Sequence, residues 1–224
     1  MCLIDYHKNK ISAGIPSKLF VTINYMLTLT QKRQQGAGIK FFSVLVAILL
    51  VVGGLYVLAL VMAPNFPQIA LKPITPEALA APTEKTDRII IPKIGVNIPY
   101  GTNGDVSLNA GALWRHPDRG NPAEGGNFII AAHRFSLQPT PWDTIEKSPF
   151  YNIDKIKPGD QILIDYDGKR YAFEASEFKD VPPTAIEIEA ESEEPKLTLY
   201  SCTLAGSADG RVVIIAKPIG EVAV

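Results

Sequence analysis

The chain has 224 residues and a formal net charge of −1, from 22 basic and 23 acidic side chains. That length holds one domain of ordinary size with extra segments. It carries no long basic patch interleaved with aromatic residues, which excludes the usual nucleic-acid surface.

Residues 1–40 have weak patterning and are basic. Lys8, Lys10, Lys18, Lys32, Arg33 and Lys40 stand against the single acid Asp5. Met26 is an alternative start. Phe41 to Met62 then runs without a charge and is mostly Val, Leu, Ile, Ala and Phe. A helix of that length spans roughly 33 Å, enough for a hydrocarbon core of ~30 Å. Gly53 and Gly54 would weaken a soluble helix but are tolerated in a membrane span. A buried core helix and a cleaved signal peptide are the competing readings. The uninterrupted apolar length argues against both, and Ala63-Pro64-Asn65-Phe66 makes a poor cleavage site. The next basic residue after the span is Lys72. The positive-inside rule therefore predicts residues 1–40 in the cytoplasm, a single-pass anchor over 41–62 in contact with the bilayer, and the remainder outside the cell membrane.

Residues 63–86 hold Pro64, Pro67, Pro73, Pro76 and Pro82 with several alanines. This composition predicts an extended, poorly packed stalk. From residue 87 to about 220 the pattern is β-rich. Arg88-Ile89-Ile90-Ile91-Pro92 reads as a first strand, and Asn127 to Ala132 as a buried one. Gln161–Tyr166 and Arg170–Ala175 flank Asp167-Gly168-Lys169 as a hairpin. Short helical turns are predicted near Leu108–Trp114 and Trp142–Tyr151. Many short strands with Gly- and Pro-containing turns predict an all-β barrel or sandwich. The acidic stretch Glu187 to Glu194 reads as a solvated loop, with a groove wall or a calcium site as the alternatives.

Cys202 ends the alternating run Lys196-Leu197-Thr198-Leu199-Tyr200-Ser201. Arg211 opens the next strand, and His133 closes the one that begins at Asn127. Cys2 is expected in the cytoplasm and Cys202 outside, so the two cannot pair. Cys202 is then either a nucleophile or a buried, inert cysteine. As a nucleophile it needs a neighbouring cation to favour thiolate, an imidazole to protonate the leaving amine, and donors for an oxyanion. His133 and Arg211 supply the first two types, and Arg211 a fixed fork of donors. Ser201 and Thr203, on either side of the thiol, are candidate oxyanion or substrate contacts. Strand alternation turns Ser201 away from the face that holds Cys202 unless the strand end bends. His116 is a second candidate base. One Cys and one His leave too few ligands for zinc, and no metal or cofactor is expected beyond the calcium alternative.

These residues resemble the sortase family of membrane-anchored cysteine transpeptidases. Arg88-Ile89-Ile90-Ile91-Pro92-Lys93-Ile94 looks like the family's opening strand. Gly125 to Arg134 is similar to the strand that delivers its histidine, and Phe150 to Asp160 to the turn into its central hairpin. Thr198-Leu199-Tyr200-Ser201-Cys202 resembles the TLxTC signature, with Arg211 where the family's arginine follows. Ala132 stands where Gly is usual, and Ser201 where Thr is usual; both keep the character of the residue replaced. The resemblance implies a closed eight-stranded β-barrel with short helices, behind one transmembrane helix. It also implies catalysis by Cys202, His133 and Arg211, in a transpeptidase of the hydrolase, thiol protease class. The expected substrate is a secreted protein with an LPxTG-like C-terminal sorting signal. Transfer would be to an amine of a cell-wall precursor or a pilin-like lysine, anchoring surface proteins. Neither a C-terminal hydrophobic segment nor an aspartate-aromatic lid motif is visible, which fits a class D/E-like member. A catalytically degenerate surface binding module is the main alternative. An L,D-transpeptidase-like enzyme is disfavoured, since no His lies near Cys202 in sequence.

Overall fold

The structure, a computed structural model, describes residues 17–222 apart from 73, 81 and 83–85. Cys2 and the first sixteen residues of the basic N-terminal segment lie outside the described residues. The chain divides after Tyr56 into two compact units. Helix α1 covers Ser17–Met62. It is the one described helix long and apolar enough to cross a membrane, with the candidate span at Gly38–Asn65. Phe41, Leu50 and Val51 on it are more than 60% exposed. So many bare apolar side chains suit a lipid surround rather than water.

The segment expected to be a loose stalk is packed in places. Two short 3-10 turns, Ala63–Asn65 and Pro67–Ile69, follow α1 directly. Ala63 and Leu71 join the main core. Asn152 Nδ2 donates to Pro64 O at 3.2 Å in a buried setting. Helix α2, Pro76–Ala80, buries Ala78, whose carbonyl accepts from Arg170 Nη1. Proline-rich composition predicted an extended stalk because it has no periodicity; Pro64, Pro67 and Pro76 instead open short helical turns.

The strands follow in chain order: β1 Arg88–Ile91, β2 Val96–Gly101, β3 Ala112–Arg115, β4 Gly120–Asn121 and β5 Gly125–Ala131. After them come β6 Gln161–Tyr166, β7 Lys169–Val181, β8 Lys196–Thr203 and β9 Gly206–Glu221. Helix α3, Gly104–Ala110, precedes β3, and α4, Pro141–Glu146, lies between β5 and β6. The sheet order is β3-β2-β1-β6-β7-β9-β8-β5, and a β3–β5 pairing closes it. Eight strands thus form a closed barrel, with the two-residue β4 added beside β5. Closure leaves no open sheet edge in the ring. The β2–β3 and β5–β8 pairs are parallel and the other neighbours antiparallel, so the barrel is mixed.

The β6–β7 hairpin turns on Asp167-Gly168, both with positive φ of 49° and 75°. That is the backbone a two-residue primed turn requires, and it explains Gly at the second position. Side-chain alternation fills the interior. Ile89 and Ile91, Phe128 and Ile130, Ile162 and Ile164, Leu197 and Leu199, and Ile214 and Ala216 all face inward. Trp114, placed in a predicted turn from sequence, is in strand β3. Its ring lies 5.3 Å edge-on to Phe128 and 6.3 Å from Tyr100.

Candidate active site

Strands β8 and β9 carry Cys202 and Arg211, and His133 follows the end of the neighbouring β5. In β8, Leu197 and Leu199 point into the core, so Tyr200 and Cys202 belong to neither position and alternate outward. In β9 the inward residues are Ile214 and Ala216, with Val212 packed against them. Arg211, Val213 and Ile215 therefore share the outward face. From β5 the core takes Phe128 and Ile130, and Ala132, just past the strand's end, joins them. Register relates the three. Cys202 pairs directly with Arg211. In the parallel β5–β8 ladder Ala131 pairs with Tyr200, and Ala132 N donates to Tyr200 O at 3.3 Å. Two residues further on lie Cys202, still in β8, and His133, which the sequence placed at a strand end but which stands in the connection just past the end of β5. The thiol and the guanidinium are thus cross-strand neighbours on the outer face, and the imidazole follows the adjacent end of β5.

Local structure fixes each of them. Thr203 pairs with Gly206 around a tight turn, but Cys202 pairs with Arg211, so Ser207 to Gly210 loop out of the ladder. Such a bulge re-aims side chains at a sheet end. Arg211 Nη1 donates to Ser207 O at 2.8 Å and Gly210 O at 2.9 Å, which braces the guanidinium against that loop. A side chain at Gly210 would bring a Cβ to 2.9 Å from Val181 O, so the close approach of β9 to β7 just before Arg211 needs glycine. His133 O accepts from Phe150 N at 3.1 Å, tying the residue to the buried end of the β5–β6 connection. Arg134 beside it is buried and donates to Asp154 Oδ1 at 2.9 Å.

Cys202 is free and half-buried. Burial pushes the His133 imidazole below its usual range; Lys147 acts in the same direction and Asp105 opposes it. With an ordinary value near 6.5, the lowered group is mostly neutral at pH 7.

Ser201 is 2% exposed and its hydroxyl donates to Cys202 O at 3.1 Å. It sits on the inward side of β8, so an oxyanion role for its side chain has no geometric support. Thr203 Oγ1 is engaged at 2.6 Å with Asp209 Oδ2, inside the turn that follows the thiol. His116 lies elsewhere: its Nε2 is 3.0 Å from Glu189 Oε2.

That contact belongs to an anchor which sequence reasoning missed. Glu189 Oε1 accepts from Arg115 Nε at 2.9 Å and from the Tyr200 hydroxyl at 2.5 Å. Its Oε2 accepts from Arg115 Nη2 at 3.1 Å, and Arg119 Nη1 donates to its carbonyl. Asn127 Nδ2 donates to Ile188 O and Ala190 O at 3.2 and 2.7 Å, and its Oδ1 accepts from Thr198 at 2.6 Å. The acidic loop after β7 is therefore pinned across the outer faces of β3, β5 and β8, two residues from Cys202. Clefts of about 790 and 850 Å³ flank it. The available signal was the basic group Arg115, His116 and Arg119 set against an acidic run. Among the described residues no three or more His, Cys, Asp or Glu side chains cluster to hold a metal.

Burial alone would raise the Glu189 carboxyl, but the hydrogen bonds from Arg115 and Tyr200 outweigh it and hold the pKa at about 2. The folded value lies below an unfolded value of about 4.3. The anchor's charge contribution is therefore full above roughly pH 4.3 and is lost as pH falls toward about 2. Glu189→Gln should free the loop at neutral pH. Arg115 is 39% exposed, so solvent screening limits the loss to about 2 kcal/mol. Amide exchange over residues 186–190 should then rise by more than tenfold. Unchanged exchange would show that the backbone bonds from Asn127 alone hold the loop.

The sortase domain profile matches residues 89–219, more than half of the chain. The chain belongs to the sortase family, whose members are cysteine transpeptidases. Sortase A of Listeria monocytogenes is 23% identical over 64% of this chain and 92% of its own, with a TM-score of 0.51. Sortase C1 of Streptococcus agalactiae, in its complex with MTSET, is 23% identical over 76% and 89%, with a TM-score of 0.52. Both share the sortase fold. A sortase D5 transpeptidase of Clostridium perfringens is 29% identical over 61% of this chain and 80% of its own, at a TM-score of 0.49. Comparison with curated proteins gave no match.

Proposed function

We propose that this sortase cuts an LPxTG-like sorting signal at the Thr–Gly bond and passes the acyl group to an amine. The Cys202 thiolate attacks the threonine carbonyl carbon, and the C–N bond to glycine breaks. His133, as imidazolium, gives its proton to the departing amine. A thioester remains on Cys202 until an acceptor amine attacks it, giving its proton to the now neutral His133 and releasing the thiolate. Arg211 presents a permanent cation and donors to the oxyanion of each tetrahedral intermediate. The observation that supports this reading is the direct pairing of Cys202 with Arg211, with His133 two residues past Ala131, the partner of Tyr200. The basic flank of the span supports an N-terminus in the cytoplasm and a catalytic domain outside. The acceptor is an amine of the cell wall or of another surface protein, and with water instead the enzyme acts as a thiol protease. The pinned loop after β7 forms one wall for an extended peptide. Purified full-length protein with quenched LPxTG-type pentapeptides, with and without an amine acceptor, tests the substrate. Cleavage at Thr–Gly that diverts to an amide is expected. No cleavage of any peptide, with Cys202 inert to thiol probes, would point to a degenerate binding module.

The lowered His133 pKa gives a signed prediction. The pair is active with one proton and inactive with two, so kcat/KM falls on the acid side as the imidazole takes up the second. The acid limb should have its midpoint below the roughly 6.5 of a free imidazole. Asp105 raises His133 and Lys147 lowers it. Asp105→Asn should therefore move the limb to lower pH, and Lys147→Gln to higher pH. A limb above 6.5, or one that neither variant moves, would remove His133 from the titrating pair.

A further inference from the structure

We propose that the face formed by the end of α1 and by α4 is seated in the interfacial layer of the lipid bilayer, so that the catalytic domain rests on the membrane. The proposal depends on the reading of α1 as a membrane span and not on the sortase reaction. A groove of about 300 Å³ opens between these elements, lined by residues that include Ala59, Met62, Phe66, Ile69, Trp142 and Ile145. No residue lining it is charged or polar. Phe66, Ile69 and Trp142 are 48%, 55% and 57% exposed, a large apolar surface for a domain in water.

Three observations commit this face to lipid. The first is continuity: Ala59 and Met62 line the groove and also belong to the candidate span Gly38–Asn65. The second is length. The part of the span on α1, Gly38 to Met62, is about 38 Å of helix at 1.5 Å per residue, against a hydrocarbon core of ~30 Å. Its last turns therefore reach the headgroup boundary, where tryptophan, with an apolar body and a polar N–H, partitions best.

The third is rigidity. Asn65 Nδ2 donates to Met62 O at 3.1 Å, closing the end of α1. Phe66 N donates to Ala63 O at 2.9 Å, and Leu71 N to Pro67 O at 2.9 Å. Leu71 is in the barrel core, and Asn152 holds the Pro64 carbonyl. No free tether separates the end of the span from the domain. Wherever Met62 lies in the membrane, Trp142 lies beside it. The connection that carries Trp142 starts at His133, so one loop joins the active-site end of β5 to the membrane-seated face.

The test uses full-length protein in phosphatidylcholine vesicles whose acyl chains carry bromine near the headgroup. The chain has two tryptophans; Trp114, packed against the core, is the internal reference. Brominated lipid should quench a large part of wild-type emission, and Trp142→Phe should abolish most of that quenching while leaving the Trp114 signal. No bromolipid quenching in protein that stays in the vesicles through an alkaline wash would overturn the proposal while leaving the anchor intact. Blue, unquenched Trp142 emission with cross-linking through this face would replace lipid by a second copy of the chain. Extraction by alkali would overturn the span and the proposal with it.

Discussion

Cys202→Ala should slow turnover of a sorting-signal peptide by at least about a thousandfold, with little effect on the melting temperature. In the proposed reaction the thiol carries the acyl group. It is half-exposed at a strand end, so its loss leaves no core cavity. Arg211→Ala should lower kcat by roughly a hundred- to a thousandfold, the cost of one oxyanion donor. Arg211→Lys should recover only part of this, because a point charge cannot keep one arm on Ser207 O and Gly210 O while presenting another to the substrate. Ser201→Ala should change kcat/KM by less than about tenfold, its hydroxyl being committed to the Cys202 carbonyl. Steady-state rates on one peptide check the series. Cys202→Ala retaining more than about 1% of parental activity would remove the thiol from the chemistry.

The largest stability effect should come from Arg170. It is 1% exposed in β7, directly opposite Asp165 of β6. Its Nε and Nη2 donate to the two Asp165 carboxylate oxygens at 2.6 and 2.7 Å, and Nη1 donates to Ala78 O. Arg170→Met leaves a buried carboxylate without its partner, which costs about 3–5 kcal/mol. A thermal melt of the detergent-solubilised chain should fall by roughly 10 °C. Asp165→Asn/Arg170→Met should recover part of the loss, since the cost lies in the orphaned charge rather than in the missing attraction. Proteolysis around α2 should quicken in the single variant, because Ala78 loses its tie to the barrel. A melt lowered by less than 2 °C would mean that water reaches Asp165 and screens it.

Much of this architecture is legible in the sequence because strands leave a period-two trace. Leu197, Leu199 and Ser201 alternate with Thr198, Tyr200 and Cys202, and that pattern alone places the thiol opposite the core. The Asp167-Gly168 turn and the apolar run to His133 are equally local signals. Strand order is not local. The parallel β5–β8 pairing that sets the His133 end of β5 beside β8 joins segments about seventy residues apart, and the resemblance to a family, rather than periodicity, implied it. Composition misled where side chains act one at a time. The segment after α1 has no period, yet Ala63, Leu71 and Ala78 are each buried. Glu189 looks like its solvated neighbours Glu187 and Glu191; only the fold brings Arg115, His116 and Tyr200 around it. The Asp165–Arg170 pair was hidden for the opposite reason, since charges beside a hairpin turn read as surface.

The central claim is that Cys202 carries the acyl group between two amines, and intact-mass measurement tests it most directly. Full-length protein is mixed with an LPxTG-type peptide, quenched in acid within one turnover and weighed, then digested to locate any adduct. The account predicts an added mass equal to the peptide up to its threonine, on Cys202, absent from Cys202→Ala and removed by an acceptor amine with formation of the amide. Cleavage of the peptide with no adduct, or with the adduct on another residue, would contradict it.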